Sequence, residues 1–253
     1  MRLLHLNKPL RLSASLRGLT FYLKDYLALE RQLAGANSPF SIASFYPCVH
    51  ERHEQSGGAS GHYFHQDLLV ASRIFDHGPE KHVDVGSRID GFVAHVASFR
   101  PIEVLDIRDL PRDIRNIRFT QADIMSENFN LKDYCDSLSS LHVIEHLGLG
   151  RYGDRVDHEG HLRGLRQMHG MLQRGGKFYC SAPIGEQRIE FNAHRVFSVP
   201  YLRDLFEKDY RIDFFSYVDD SGKLIENASL SDGAAKANFH CRYGCGIFEM
   251  TKR

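Results

Sequence analysis

The sequence lacks the features typical of nucleic-acid-binding and membrane proteins. Its 253 residues contain 32 Lys and Arg against 32 Asp and Glu, so the formal net charge is zero. Nucleic-acid-binding proteins usually carry a basic excess, and the balance therefore argues against a nucleic acid as the main partner. No segment approaches the roughly 18 consecutive apolar residues that a membrane-spanning helix requires, so we expect no membrane span.

Signals for secretion and for disulfide or zinc frameworks are also absent. Residues 1–18 are basic, but their apolar runs are too short and interrupted for a signal peptide. The five cysteines are scattered, and only Cys241 and Cys245 lie close together, without the second half of a zinc site. We interpret them as reduced thiols of a cytoplasmic protein.

The chain changes character near residue 80. Residues 13–33 carry apolar side chains at helical spacing, residues 56–61 are a Gly- and Ser-rich loop, and residues 66–75 are predicted to form a second helix. From residue 81 onward, short apolar runs alternate with helical segments, which is typical of parallel strands joined by crossover helices. The predicted strands are 82–85, 103–107, 117–120, 137–143, 177–181, 211–217 and 243–251, and the predicted helices between them are 92–99, 159–172 and 199–207.

This alternation predicts an α/β fold. We expect a Rossmann-like three-layer α/β/α domain over residues 79–253, with a mostly parallel sheet of about seven strands. Residues 1–78 are expected to form an N-terminal helical cap and lid segment.

The first predicted strand ends in Asp84-Val85-Gly86-Ser87-Arg88. Small residues at the carboxyl end of a strand allow the backbone to approach a ligand closely, and the following helix start directs free N–H groups towards it. Alone, such a turn is also explained by chain topology.

Two acidic residues at matching positions strengthen this interpretation. Asp106 ends the second strand, 22 positions after Asp84, and Asp123 follows the third strand 17 positions later. An acid about 20 residues beyond a glycine turn is typical of a site that binds the ribose of an adenosine cofactor. The alternative is that these acids only cap strand ends.

These motifs resemble those of class I S-adenosylmethionine-dependent methyltransferases, over roughly residues 80–252. Gly175-Gly176, predicted as a turn from a helix into a strand, resembles a later motif of the same superfamily. The resemblance implies the cofactor S-adenosylmethionine. It also implies binding roles for the residues that follow these strands: Asp84, Gly86, Ser87 and Arg88 on the methionine side, Asp106 and Ile107 at the ribose, and Asp123 and Ile124 at the adenine.

One position departs from that pattern. Arg88 stands where these methyltransferases have a glycine, so its side chain either crowds the cofactor or pairs with a carboxylate such as that of the methionine.

A narrower resemblance concerns residues 62–71 and 82–96. They are similar to an uncharacterised family, classed as a domain of unknown function, that is often associated with bacterial surface-polysaccharide genes. This resemblance implies a carbohydrate or polysaccharide-precursor acceptor.

The segment after the fourth strand contains the candidate catalytic residues. Methyl transfer to a hydroxyl requires a base, and a histidine titrates close to neutrality. His142, Glu145 and His146 also resemble the Glu-x-x-Glu-His segment of metal-dependent O-methyltransferases, so they are alternatively ligands for zinc or manganese. A structural role is the third interpretation.

Three further segments have a functional and a structural interpretation. His194 follows the fifth strand and is a second candidate base, or packs at a helix start. Residues 61–67 include Tyr63 and Phe64, which form either a lid over the cofactor or the core face of a helix. The loop 148–155 carries two arginines that bind an anionic group such as a diphosphate, or are solvated.

We therefore expect an O-methyltransferase that acts on a small-molecule or carbohydrate acceptor. The alternative is a non-catalytic methyltransferase-like binding or scaffold module with a degenerate cofactor site. A nicotinamide-dependent oxidoreductase is disfavoured, because residues 86–91 lack the Gly-x-Gly-x-x-Gly order.

Overall fold

The computed structural model describes residues 12–49, 52, 56–231 and 233–253. It contains two compact units, one up to Gly58 and one from Ala59 to Arg253. In the described part of the first unit, helix α1 spans Leu12–Ala34 and confirms the helix predicted over residues 13–33. Most of the segment in which we expected no signal peptide, residues 1–11, lies outside the described residues.

The second unit contains the predicted alternation of strands and helices. Helix α2 begins at His62, four residues before the predicted start, and the predicted strands 82–85 and 117–120 agree with the structure to within one residue. The strands are β1 His82–Val85, β2 Ile102–Asp106, β3 Ile117–Gln121, β4 Cys135–Leu141, β5 Leu172–Ile184, β6 Arg188–Glu190, β7 His194–Val196, β8 Tyr210–Val218, β9 Leu224–Ile225 and β10 Gly244–Lys252. The helices are α2 His62–His77, α3 Ala94–Ala97, α4 Gly160–Met171, α5 Val199–Phe206 and α6 Gly233–Lys236.

Eight of these strands form one mixed sheet in the order β3-β2-β1-β4-β5-β10-β8-β9. Strands β1 to β5 are parallel, whereas β10 pairs antiparallel with both β5 and β8. The strand order reverses between β1 and β4, and ligands of open α/β sheets bind at the carboxyl ends of the strands at such a point. The predicted Rossmann-like α/β fold is confirmed, with the short β9 as an eighth strand.

Apolar side chains cover both faces of the sheet. On one face, Leu165 and Met168 of α4 and Leu202 of α5 belong to a buried cluster. On the other face, Val70 and Ile74 of α2 belong to a second cluster, together with residues of α3, β2 and β10. Helix α2 is therefore part of a layer of the larger unit. The two compact units divide at residue 58. The expected division into a cap and lid segment up to residue 78 and a methyltransferase-like domain stays a prediction.

The sequence missed local irregularities. Strand β5 begins at Leu172, so Gly175-Gly176 lies within the strand and not in a turn between helix and strand. The helix predicted over residues 92–99 is a π-helical turn, Ile89–Val93, followed by the short α3. A side chain at Gly91 in this turn would lie 2.5 Å from the carboxylate of Asp67. The hairpin of β6 and β7 was not predicted.

Among the helices of the described segments, none is long and apolar enough to cross a bilayer.

The packing of α2 predicts a large effect of truncating its buried face. Ile74 is fully buried, so Ile74→Ala should lower the free energy of unfolding by about 2–5 kcal/mol, measured by denaturant titration. Leu68 of the same helix is 50% exposed, and Leu68→Ala should change it by about 0.5 kcal/mol or less. Equal effects of the two variants would contradict the assignment of α2 to the domain core.

Candidate cofactor and catalytic site

A cleft of about 250 Å³ opens at the carboxyl ends of β1, β2 and β4. The parallel strands end at the same edge of the sheet, so residues far apart in the sequence meet there. The predicted site residues that line the cleft are Gly86, Arg88, Asp106, Ile107, Asp123, Ile124, His142 and His146. Four predicted site residues of the described chain do not line it, namely Asp84, Ser87, Glu145 and His194.

The turn after β1 requires glycine at position 86. Gly86 has φ +73°, a left-handed conformation that side chains disfavour, and its N–H donates to the carbonyl of Leu105, 2.8 Å away. A Cβ at this position would lie 3.0 Å from Cγ1 of Val143. The missing side chain therefore leaves backbone exposed at the wall of the cleft, where a ligand can approach it.

Asp84 is fully buried and stabilises this turn from behind. Its carboxylate accepts hydrogen bonds from the backbone N–H of Ser87 at 2.9 Å, the Ser87 hydroxyl at 2.6 Å and the Ser139 hydroxyl at 2.6 Å. Burial raises the pKa of Asp84 to about 6, although these three hydrogen bonds favour the charged form. Asp84 and Ser87 thus shape the site without facing the cleft.

Asp106 ends β2 and is held by Arg108. Its carboxylate accepts from the Arg108 backbone N–H at 2.8 Å, from Nε at 3.0 Å and from Nη2 at 2.7 Å. The Arg108 guanidinium also lies 4.5 Å from the ring centroid of Tyr152. A ribose hydroxyl that binds Asp106 therefore has to share or replace these contacts.

Arg88 lies at the cleft and faces Asp90 as well as the lid segment. Its Nε and Nη2 donate to the two carboxylate oxygens of Asp90 at 3.0 and 2.9 Å, and its guanidinium lies 5.0 Å from the ring centroid of Tyr63. This pair is exposed, so Arg88 can exchange Asp90 for another carboxylate at little cost.

His146 has the properties of a general base. Its Nδ1 lies 2.7 Å from the carbonyl of Ala193, a contact in which Nδ1–H donates and Nε2 keeps its lone pair. Burial lowers its pKa, the Arg151 and His142 charges act in the same direction, and Glu145 opposes them. The imidazole is therefore neutral at pH 7 and able to accept a proton.

His142 and Glu145 form a buried pair beside the cleft. Nδ1 of His142 lies 2.7 Å from Oε1 of Glu145, and the Glu145 side chain is only 1% exposed. Burial alone would lower the pKa of His142, but the neighbouring Cys245 and Glu145 raise it well above its usual value. Glu145 thus orients the His142 ring through Nδ1, and Glu145 itself does not line the cleft.

His194 lies in β7, outside the residues that line the cleft. Its Nε2 is 3.4 Å from Oε2 of Glu190, and its ring centroid is 5.1 Å from that of Tyr243. Tyr243 also stacks on His62, with centroids 5.4 Å apart. His194 is therefore part of a group of aromatic and imidazole rings that reaches His142 through Tyr243 and His62.

The other predicted segments divide between the cleft and the rest of the domain. Tyr63 lines the cleft, whereas Phe64 contacts the ring of His65. In the loop 148–155, Arg151 donates to the carbonyl of Ala193 at 2.8 Å, and Asp154 accepts from the N–H groups of two glycines. The proposed binding of an anionic group by this loop stays a prediction.

Sequence reasoning missed two sets of residues. Arg108 and Tyr152 line the cleft, and the position of Arg108 two residues after Asp106 was the available signal. His62 and Cys245 lie against His142, which no spacing in the sequence indicates, because they come from opposite ends of the domain.

Comparison with protein families identifies one match. Residues 95–240 match the family described as "Caenorhabditis protein of unknown function, DUF268". This description does not mention bacterial surface-polysaccharide genes, so the association expected from residues 62–71 and 82–96 is not supported by it. Comparison with curated proteins found no match.

Solved structures with the same fold include methyltransferases. The Burkholderia thailandensis 1,6-didemethyltoxoflavin-N1-methyltransferase, with bound 1,6-didemethyltoxoflavin and S-adenosylhomocysteine, has a TM-score of 0.53 and 14% identity over 74% of this chain and 78% of that chain. The Bradyrhizobium japonicum N-methyltransferase NodS, in complex with S-adenosylhomocysteine, has a TM-score of 0.50 and 13% identity over 90% and 97% of the two chains.

A third similar structure shows why fold alone does not identify the reaction. The [4+2]-cyclase SpnF has a TM-score of 0.52 and 14% identity over 74% of this chain and 80% of that chain. At these identities the similarity establishes the methyltransferase-like fold, and the activity has to be argued from the site.

The geometry of the Gly86 turn predicts a difference between two glycine substitutions. Gly175 has φ +79° with no atom within 4 Å of an added Cβ, so Gly175→Ala should cost only the left-handed strain, about 1–2 kcal/mol of unfolding free energy. Gly86→Ala has the same strain and also crowds Val143, which should cost about 1–3 kcal/mol more. Chemical denaturation measures both, and equal losses would show that Val143 does not restrict the turn.

Proposed function

This chain belongs to the DUF268 family, and we propose that it is a methyltransferase that uses S-adenosylmethionine. The observation that carries the proposal is the cleft, in which the Gly86 backbone, the Asp106 carboxylate and the neutral His146 imidazole meet at the reversal point of the sheet. The similarity of the fold to two methyltransferases that hold S-adenosylhomocysteine supports it.

The residues of the cleft fit the cofactor chemically. The exposed Gly86 backbone would hold the methionine part, and Arg88 would exchange Asp90 for the methionine carboxylate. Asp106 would accept hydrogen bonds from the ribose hydroxyls, and Ile124 with Asp123 would flank the adenine. When bound, S-adenosylmethionine supplies an electrophilic methyl group on a sulfonium.

The chain's own residues would orient and activate the acceptor. His146 would take the proton of an acceptor hydroxyl at Nε2, because its Nδ1–H is engaged by the carbonyl of Ala193. Tyr63 and Tyr152 line the cleft and would exclude water from it. His142 would line the cleft beside the acceptor, oriented by Glu145. His194, which does not line the cleft, is retained as a second candidate base.

The cleft must also bind the molecule that accepts the methyl group. We propose a hydroxylated acceptor, a carbohydrate or polysaccharide precursor, on the resemblance of residues 62–71 and 82–96 together with the His146 base. We also retain the cytoplasm as the expected location, on the cysteine usage of the sequence.

A non-catalytic binding module is the second candidate. Two observations favour it: Arg108 occupies the carboxylate of Asp106, and Arg88 replaces the glycine of the methyltransferase pattern. Such a module would have the same fold without affinity for the cofactor.

Cofactor affinity separates the two candidates. Asp106→Ala should weaken the binding of S-adenosylhomocysteine about 10- to 100-fold, because it removes charge-assisted hydrogen bonds to the ribose. Asp109→Ala, at an exposed position of the same loop that does not line the cleft, should leave the affinity unchanged. Isothermal titration calorimetry measures both. No binding by the unaltered chain would support the non-catalytic module instead.

The lowered pKa of His146 predicts the pH dependence of turnover. A base must be neutral, so kcat/KM should fall with acidification as His146 becomes protonated, with a midpoint below the pKa of 6.5 of an ordinary histidine. His146→Gln should lower kcat about 10²- to 10⁴-fold with near-normal affinity for S-adenosylhomocysteine.

Formation of S-adenosylhomocysteine with a panel of sugar nucleotides as acceptors measures this turnover. His65→Gln, outside the cleft, is the control. Unchanged kcat in His146→Gln would remove His146 from the reaction.

A further inference from the structure

We propose that His62, His142 and Cys245 bind one zinc ion. His62 is the first residue of α2, His142 directly follows β4, and Cys245 lies in β10. Each side chain offers one ligand atom, and the three atoms lie within 4.8 Å of one another. The fold thus brings together three residues that are separated by 80 and more positions in the sequence.

The unpartnered nitrogen of His142 points to a missing ligand. Its Nδ1 is engaged by Glu145, whereas its Nε2 is buried and has no hydrogen-bond partner among the described residues. The residue itself is only 8% exposed, and a buried nitrogen without a hydrogen-bond partner is destabilising. A metal ion at Nε2 would satisfy it.

The backbone of His142 is also held in an unusual conformation. Its φ is +55°, in the left-handed region that non-glycine residues rarely adopt, and its N–H donates to the Ser181 hydroxyl and carbonyl. Such strain concentrates at functional positions. The His62 ring stacks on the His142 imidazole, with centroids 5.3 Å apart and planes within 5°.

Cys245 completes the donor set from a fully buried position. Its Sγ lies 3.7 Å from Oε1 of Gln66 and 3.9 Å from the carbonyl of Gly246, and it also interacts with the His142 imidazole.

Two imidazoles and one thiolate favour zinc over magnesium or calcium, which prefer oxygen ligands. Ligand atoms of a tetrahedral zinc site are roughly 3.3–3.6 Å apart, so small side-chain rotations would close this set around the ion. The Glu145 carboxylate on Nδ1 of His142 is the outer partner that metal-bound histidines usually have. Three protein ligands leave a fourth position for water or another ligand.

This set differs from the one considered from sequence, which combined His142, Glu145 and His146. In the structure Glu145 contacts Nδ1 of His142, so in the new set it is an outer partner and not a ligand. Zinc binding at the new set does not depend on the proposed methyltransferase activity, so the two can be tested separately.

Metal content tests the proposal. The full chain, purified without chelators, should contain about one zinc per molecule by inductively coupled plasma mass spectrometry, or should bind one equivalent when zinc is added. Cys245→Ser and His62→Gln should each lower the zinc affinity at least about 10-fold. Matched controls are Cys241→Ser, a neighbouring buried thiol, and His65→Gln, a partly buried histidine of the same helix.

Cobalt substitution provides a readout that a folding defect would not imitate. The chain loaded with Co²⁺ should show a thiolate-to-cobalt charge-transfer band that disappears in Cys245→Ser and persists in Cys241→Ser. Circular dichroism checks that the variants are folded. Because His62 is only partly buried, His62→Gln is the ligand substitution that should disturb the core least.

No zinc uptake by the unaltered chain at micromolar zinc, or uptake that survives both ligand substitutions, would overturn the proposal. Zinc binding without affinity for S-adenosylhomocysteine would leave the metal site standing and would contradict only the proposed function.

Discussion

The buried carboxylate of Asp84 is the interaction on which the site depends. It lies where the strand order reverses, and it joins β1 to β4 through Ser139 and to the following turn through Ser87. Burying a charge is costly, as the raised pKa of Asp84 shows, and three hydrogen bonds offset that cost. Because Ser87 also accepts from the N–H of Leu141, the ends of β1 and β4 are held in one arrangement.

Two residues at this edge have a left-handed backbone conformation. Gly86 leaves β1 with its backbone open to the cleft, and His142 leaves β4 with its imidazole turned towards α2. Two groups with different chemistry therefore adjoin at His142. One is the cleft with Asp106 and His146, and the other is the group of His62, His142 and Cys245. His142 belongs to both.

Much of the fold could be predicted from the sequence, because the signals are local. The apolar runs of β1 and β3 and the alternation with helices predicted a parallel sheet, which the structure confirms. The Gly175-Gly176 turn lies within the bounds of β5, at the irregularity where the register between β4 and β5 shifts. The expected helical cap includes α2, but which sheet residues its apolar face contacts is not specified by any local pattern.

The sequence by itself determined the strand–turn units and the chemical types at their ends, since glycine conformation and hydrophobic periodicity act over a few residues. It therefore predicted Gly86, Asp106 and Ile124 as neighbours. Only the tertiary structure decided which side chains face a ligand: Asp84, Ser87 and Glu145 are partners of other residues, whereas Arg108 and Tyr152 line the cleft. It also brought Cys245 to His142, because the pairing of β10 with β5 joins distant segments for reasons of packing over the whole sheet.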